Sequence, residues 1–159
     1  MTEPVTHEIM EIEGDDEGVP IDPVSPDVLR SGLESENASV RTRAATVASG
    51  LTETDEETVV AVIPELLEAL YDDQRVVIYQ SLMALSQVAE DEADQLEPEI
   101  ERLVELTVHN LALIRMIASR TVGYVALERP ELFTDHVETL VEATVKEPEA
   151  VFEDETLAE

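Results

Sequence analysis

The 159-residue sequence contains no cysteine and no tryptophan, and only 3% of its residues are aromatic. Without cysteine the chain has no disulfide, no cysteine-ligated zinc site and no thiol nucleophile. No apolar run approaches the 18 residues that a membrane-spanning helix needs. Residues 1–10 lack the basic start and apolar centre of a signal peptide. These absences predict a cytoplasmic protein with an aliphatic core and no membrane partner.

Basic residues are also scarce, since 9 Lys and Arg stand against 38 Asp and Glu, for a net charge of -29. Direct nucleic-acid binding is therefore disfavoured, because the phosphates would be repelled. A composition rich in acids with a single lysine, Lys146, resembles that of proteins from halophiles that accumulate salt, in which salt screens the repulsion. The alternative is a low-salt acidic protein that mimics nucleic acid or neutralises a basic partner.

Side chains that carry chemistry form no recognisable site. His7, His109 and His136 are too scattered to share a metal ion. The five glycines form neither a phosphate-binding loop nor a dinucleotide fingerprint, and no serine lies in a nucleophile elbow. The sequence therefore predicts a protein that is not an enzyme and has no catalytic residue, cofactor or metal site.

Apolar residues recur with a period of 37 residues from Ser25 onward, without insertions. Each repeat contains two stretches with the three- and four-residue spacing of an amphipathic helix, separated by a short polar turn. The columns of the first stretch are Leu29, Leu66, Leu103 and Leu140; Ile63, Ile100 and Val137; Leu67, Val104 and Val141; and Val59, Leu96 and Phe133. Those of the second are Val40, Val77 and Ile114; Ala44, Ser81 and Ala118; Ala48, Leu85 and Val122; and Leu51, Val88 and Val125.

A helix pair of this length cannot bury its apolar face alone, but stacked pairs form one continuous core. The predicted fold is therefore all-α: a short right-handed α-solenoid of about three helix pairs plus a capping helix. Pro64 lies within a first helix and should kink it. Three regions are expected: an acidic, disordered tail (1–24), the repeat domain (25–147), and an acidic C-terminal tail or degenerate cap (148–159).

The repeat resembles the HEAT family in two segments, residues 64–73 and 40–45. Ile114 and Arg115, followed by Ala118, repeat the second pattern, whereas Ile78 replaces the arginine in the middle repeat. The resemblance covers about residues 25–147. It implies an α-solenoid that binds proteins, and it does not identify the partner.

Acids are missing from the second helices, since residues 39–52, 74–89 and 111–127 contain no Asp or Glu. Interface centres are enriched in aromatics, Met and Arg and depleted in acids. The outward face of these helices, with its flanking residues, is therefore the predicted partner-binding surface. Its residues are Arg43, Val76, Tyr79, Gln80, Met83, Gln87, Leu113, Met116, Ile117, Arg120 and Tyr124.

The function predicted from this surface is a non-catalytic adaptor or scaffold that binds another protein or a second copy of the chain. Four alternatives stay open: an acidic decoy for a basic protein, an accessory subunit of an enzyme or cofactor-attachment complex, coverage of the face by the chain's own tails, and an exposed face without a function. A related hypothesis places residues 1–24 over the face, since Ile9, Met10 and Ile12 lie among acids there, while the face offers Arg43 and Arg120 and no acid.

Overall fold

A computed structural model describes residues 8–16, 19–20 and 22–145, and it confirms the predicted all-α, solenoid-like fold. These residues contain no β-strand, only an isolated antiparallel bridge between Gly14 and Pro20. Within the same residues, no helix is long and apolar enough to cross a membrane. The predicted tail or cap at 148–159 lies outside the described residues, as does His7.

Consecutive helices form the repeats. Residues 8–11 make a helical turn ahead of them. Three 3₁₀ segments belong to the first helices of the repeats: Ala69–Tyr71, Glu97–Glu99 and Pro130–His136. The α-helices are α1 (Pro26–Leu33), α2 (Ala38–Leu51), α3 (Glu56–Ala61), α4 (Ile63–Glu68), α5 (Arg75–Val88), α6 (Ala93–Leu96), α7 (Ile100–Leu106), α8 (Ala112–Glu128) and α9 (Val137–Thr144).

The backbone repeats with the period seen in the sequence. The first helix bends at Val62, Glu99 and His136, each 37 residues from the next, with φ between -113° and -120° and ψ between 5° and 24°. Pro64 occupies the first turn of α4, a favoured position for proline. The predicted kink is therefore present. Because it recurs where no proline follows two residues later, it belongs to the repeat and not to Pro64 alone.

Contacts divide the chain into two compact units, Met1–Ala84 and Leu85–Glu159, and the boundary falls within α5. In the first unit, α1 packs against α2, α3 and α4, and α2 also contacts α3. In the second unit, α8 packs against α6, α7 and the Pro130–His136 segment. Helix α9 packs against that segment and α7. Each first helix thus lies beside its neighbours in the chain, as expected for stacked repeats.

The predicted core columns are buried with few exceptions. Every member of the four second-helix columns is at most 5% exposed, and so are the first-helix members up to Phe133. The exceptions belong to the last repeat, where Val137 and Val141 are each 58% exposed and Leu140 is half-buried. No second helix follows α9 in the described part of the chain, so this face has no cover there.

Arginines at one repeat position hold the turn between paired helices. Arg41 donates from Nη1 to the carbonyls of Ser35 (3.0 Å) and Glu36 (3.1 Å). Arg115 donates in the same way to His109 (2.8 Å) and Asn110 (3.0 Å). The third equivalent residue, Ile78, has no such group and is buried. The sequence pattern of Arg41 and Arg115 is therefore explained by turn stabilisation within the chain.

Part of the predicted disordered tail is folded against the first repeat. Ile9 is fully buried, and Arg43 Nη2 donates a hydrogen bond to the Ile12 carbonyl. The expectation of disorder is therefore wrong for the described residues around Ile9. The sequence favoured disorder because residues 1–24 contain Pro4, Pro20, Pro23 and the acidic run Glu11 to Glu17 and sustain no helical period, yet Ile9 is buried.

Candidate protein-binding surface

Helix α8 carries an acid-free stripe of exposed and half-buried residues on its outward face. Met116 is 47% exposed and Leu127 is 73% exposed, although both are large and apolar. The stripe advances by three or four residues at a time, apart from the adjacent pair Gly123 and Tyr124, so its members share one side of the helix. We call this set the α8 stripe: Leu113, Met116, Arg120, Gly123, Tyr124 and Leu127.

The opposite side of α8 faces the core and includes one residue that the sequence placed on the partner face. Ile117 is only 3% exposed, so the prediction that its side chain points outward is wrong. It lies between Ile114 and Thr121 at helical spacing, and both of these are buried. Because α8 is apolar on both faces, hydropathy could not decide which side is buried.

Polar groups at the centre of the α8 stripe could give direction to a contact. Arg120 is exposed and donates from Nη2 to Ser86 Oγ at 2.8 Å, which holds the guanidinium over the helix surface. Tyr124 is half-buried beside it. Arginine and tyrosine are common among the residues that dominate binding energy in interfaces. The stripe thus combines apolar area with anchored polar groups.

Gly123 is an exposed glycine in the interior of α8. A methyl group added there would meet nothing within 4 Å. Glycine in a helix interior is less stable than alanine by roughly 0.5–1 kcal/mol, and no packing of the described residues requires it. Because Gly123 has no side chain, another backbone can approach α8 closely at this point. Gly123 was not among the partner-binding residues predicted from the sequence.

The C-terminal end of α8 is fixed by Arg129, which follows the helix directly. Arg129 pairs with Glu131 and Asp94, and its Nη2 lies 3.5 Å from Glu97 Oε2. These bonds raise the pKa of Arg129, and the hydrogen bond with Glu131 makes the largest contribution. The same hydrogen bond lowers the pKa of Glu131. The last turn of α8, which carries Leu127, is therefore tied to the helices before and after it.

The other predicted site residues are placed individually along α2 and α5. Gln87 is exposed. Arg43 is half-buried and bonded to Ile12, and the rest are also half-buried: Val76, Tyr79, Gln80 and Met83. The structure thus gathers Leu113, Met116, Arg120 and Tyr124 on one helix face. Leu127 was missed, although it continues the same three-residue step beyond Tyr124.

A second apolar surface lies on α9 and the preceding 3₁₀ segment. It forms an open groove of about 470 Å³ lined by Pro130, Phe133, Thr134, Val137, Leu140, Val141 and Thr144. Val145, the residue after Thr144, is 74% exposed. In the preceding repeat, Ile100 and Val104 occupy the positions equivalent to Val137 and Val141, and both are buried. The groove is therefore the uncovered first-helix face of the last repeat.

Comparisons with known proteins support the fold and leave function open. No family model matches the chain, and no curated protein matches it. A crystal structure of an engineered protein from the Northeast Structural Genomics Consortium is similar, with a TM-score of 0.69 and 20% sequence identity. The match covers 81% of this chain and 58% of that one. At this identity the likeness shows the fold alone, and the resemblance to HEAT repeats remains a prediction.

Proposed function

We propose that this chain is a non-catalytic, HEAT-like protein-binding module that uses the α8 stripe to bind another protein or a second copy of itself. One observation carries the proposal: in a chain of net charge -29, the exposed face of α8 bears Met116 and Leu127 and no acid before Glu128. A large apolar patch is a liability on a surface without a partner. Its composition suits an interface centre.

A stable complex requires more contacts than the two most exposed side chains provide. Full burial of an exposed Met or Leu side chain contributes roughly 1.5–3 kcal/mol. Association opposes this gain through lost translational and rotational freedom. Met116 and Leu127 together therefore need the further contacts of Leu113, Tyr124 and Arg120 for a stable complex. Gly123, where an added methyl group would meet nothing within 4 Å, lies among these residues.

The acid-rich remainder of the chain suits a halophile-type setting, in which salt screens its repulsion. An apolar interface holds at high salt, whereas a decoy that binds a basic protein by charge loses affinity steeply. Salt dependence of partner binding therefore separates the proposed module from the acidic decoy.

The test is affinity capture in molar KCl from a lysate of the organism that encodes the chain, with mass spectrometry of the captured proteins. The Met116→Glu and Leu127→Glu chains are expected to lose a partner that the wild-type chain retains. The control is Val137→Glu, which places the same charge on an equally apolar, 58% exposed position of α9. Circular dichroism confirms that each variant is folded.

The control also decides between the two apolar surfaces. If Val137→Glu loses the partner while both α8 variants retain it, the α9 groove is the binding site and the proposal is wrong. The proposal is also wrong if all three variants retain the partner. If the wild-type chain captures itself, sedimentation of the same variants shows whether the α8 stripe forms the self-contact.

A further inference from the structure

The seat of Ile9 on the first repeat is a shaped pocket between two helices. Ile9 is fully buried beside Gly32 on α1, and Gly32 in turn lies close to Ala44 on α2. A methyl group added at Gly32 would lie 2.7 Å from the Ala44 Cβ and 3.3 Å from the Ile9 Cγ1. The pocket therefore depends on Gly32, because any side chain there would close it. It is separate from the α8 stripe.

The segment in the pocket is held by few contacts. Apart from the burial of Ile9, a hydrogen bond from Arg43 to the Ile12 carbonyl attaches the segment to α2. Met10 is 48% exposed, Ile12 is half-buried, and Glu8 and Glu11 are exposed. After this segment the chain turns back through the Asp15–Val19 hydrogen bonds, at 2.8 and 2.9 Å. Residues 8–12 thus resemble a bound peptide with one buried anchor.

The charge of Arg43 is not neutralised by this segment. Arg30, Arg41 and Arg129 each pair with carboxylates, but among the described residues Arg43 bonds only to a main-chain carbonyl. No carboxylate of residues 8–16 reaches it, although the segment is acidic. A segment with a carboxylate placed at Arg43 would form a charge-assisted bond that the chain's own segment lacks.

We propose that the Ile9 seat is a peptide-binding site for an acidic helical segment of another protein. The residue that enters the pocket has the size of isoleucine, and a main-chain carbonyl three residues after it accepts a hydrogen bond from Arg43, as the Ile12 carbonyl does in the chain's own segment. Residues 8–12 occupy the seat in cis and are displaced when such a segment binds. A tethered segment competes at high local concentration, so it blocks weak ligands even when its own affinity is low. The site does not rest on the α8 stripe.

The test uses the full chain and a fluorescein-labelled synthetic peptide with the sequence of residues 8–16 as the probe. Ile9→Asp in the full chain empties the seat without shortening the protein. Fluorescence anisotropy in molar KCl should show at least tenfold tighter peptide binding to Ile9→Asp than to the wild-type chain. Adding Arg43→Ala should weaken this binding about tenfold, the loss of one hydrogen bond to a charged donor.

Two controls make the result specific. Met10→Asp in the full chain alters the exposed neighbour of the anchor and should bind the probe as weakly as the wild-type chain does. A peptide carrying Asp in place of Ile9 should not bind the Ile9→Asp chain. Absence of probe binding to folded Ile9→Asp, or equal binding to the wild-type chain, overturns the proposal. Unfolding of Ile9→Asp under conditions in which Met10→Asp is folded also overturns it, because the segment would then be part of the core.

Discussion

Single ion pairs join successive repeats within the first compact unit. Arg30 Nε lies 2.7 Å from Glu65 Oε1, and Arg41 Nε lies 2.6 Å from Asp72 Oδ2. The Asp72 side chain is only 7% exposed, so this pair is shielded from salt better than the surface pairs are. Burial raises the pKa of Asp72, but the hydrogen bonds from Arg41 and the Gln74 N–H outweigh it, and the net shift is downward.

Replacing Asp72 with asparagine should lower the free energy of unfolding at pH 7 by about 1.5–3 kcal/mol, because the bond to Arg41 loses its charge. The pKa of Asp72 is lower in the folded chain than in the unfolded one. Its stabilisation is therefore complete above the unfolded-state pKa and is lost as the pH falls through the folded-state pKa. Urea unfolding of both chains between pH 7 and pH 3 should show the difference shrinking in acid.

Asp73→Asn is the matched control, since Asp73 also contacts Arg41, at 3.3 Å, but its side chain is 81% exposed. It should change stability by less than about 1 kcal/mol. A difference between wild type and Asp72→Asn that is as large at pH 3 as at pH 7 would show that the charge of Asp72 is not the stabilising factor.

A buried hydroxyl offers a second residue-scale prediction. Ser81 is fully buried, and its Oγ has no hydrogen-bond partner among the described residues. The equivalent residues of the neighbouring repeats are Ala44 and Ala118, both also fully buried. Ser81→Ala should therefore raise the free energy of unfolding by about 1 kcal/mol, since it removes an unpaired polar group. Urea denaturation measures the change.

Ser86→Ala serves as the comparison on the same helix. Ser86 is 2% exposed, and its Oγ accepts a hydrogen bond from Arg120. This substitution should destabilise the chain by about 1 kcal/mol. If Ser81→Ala destabilises the chain to the same degree, the Ser81 hydroxyl has a partner, such as an ordered water molecule.

At the scale of helices, equivalent positions of the repeat differ in burial. Val104 on α7 is 2% exposed, whereas Val141, its counterpart on α9, is 58% exposed. Val104→Ala should lower the free energy of unfolding by about 1–2 kcal/mol, through lost burial and the cavity it leaves. Val141→Ala should be neutral or stabilising by up to about 0.5 kcal/mol, because alanine favours helix and little burial is lost. Thermal and urea unfolding of both variants test the contrast.

An equal loss of stability at Val104 and Val141 would contradict the open face of α9. It would show that another element covers α9 in solution. Repeating the measurement over a range of protein concentrations would then distinguish a second copy, which makes the effect concentration-dependent, from a segment of the same chain.

Sequence predicted the helices well, because the repeat supplies several copies of each position. The 37-residue columns located the buried residues of α2, α5 and α8, and Pro64 itself indicated the bend in the first helix. It failed at Ile117, where both faces of α8 are apolar and periodicity cannot choose between them. It also missed the seat of Ile9, because that contact joins residues distant in sequence and depends on the missing side chain of Gly32.

At the scale of the whole molecule, charge opposes folding. The folded chain carries a formal net charge of -29 in 159 residues. The unfolded chain spreads the same charge over a larger volume, so repulsion destabilises the folded state more than the unfolded one. Most acids of the first-helix faces are exposed, so their mutual repulsion is open to screening by salt. The buried aliphatic columns, by contrast, contain no charged side chain.

Stability should therefore increase with salt. At 1 M ionic strength the screening length is about 3 Å, against about 30 Å at 0.01 M. Raising KCl across this range should add at least about 2 kcal/mol to the free energy of unfolding, which corresponds to a rise of roughly 4–8 °C in melting temperature. Circular dichroism melts at constant protein concentration measure it. An unchanged melting temperature would rule out repulsion as the factor that limits stability and, with it, the halophile-type assignment. Sucrose is the control, because it stabilises folded proteins by exclusion from their surface without screening charge. If sucrose of equal osmolarity gives the same increase, the effect of KCl is not electrostatic.

Variants with reduced charge test the same repulsion by changing the protein. Converting exposed acids such as Glu101 and Glu138 to glutamine should raise the free energy of unfolding at low salt and have little effect at molar KCl.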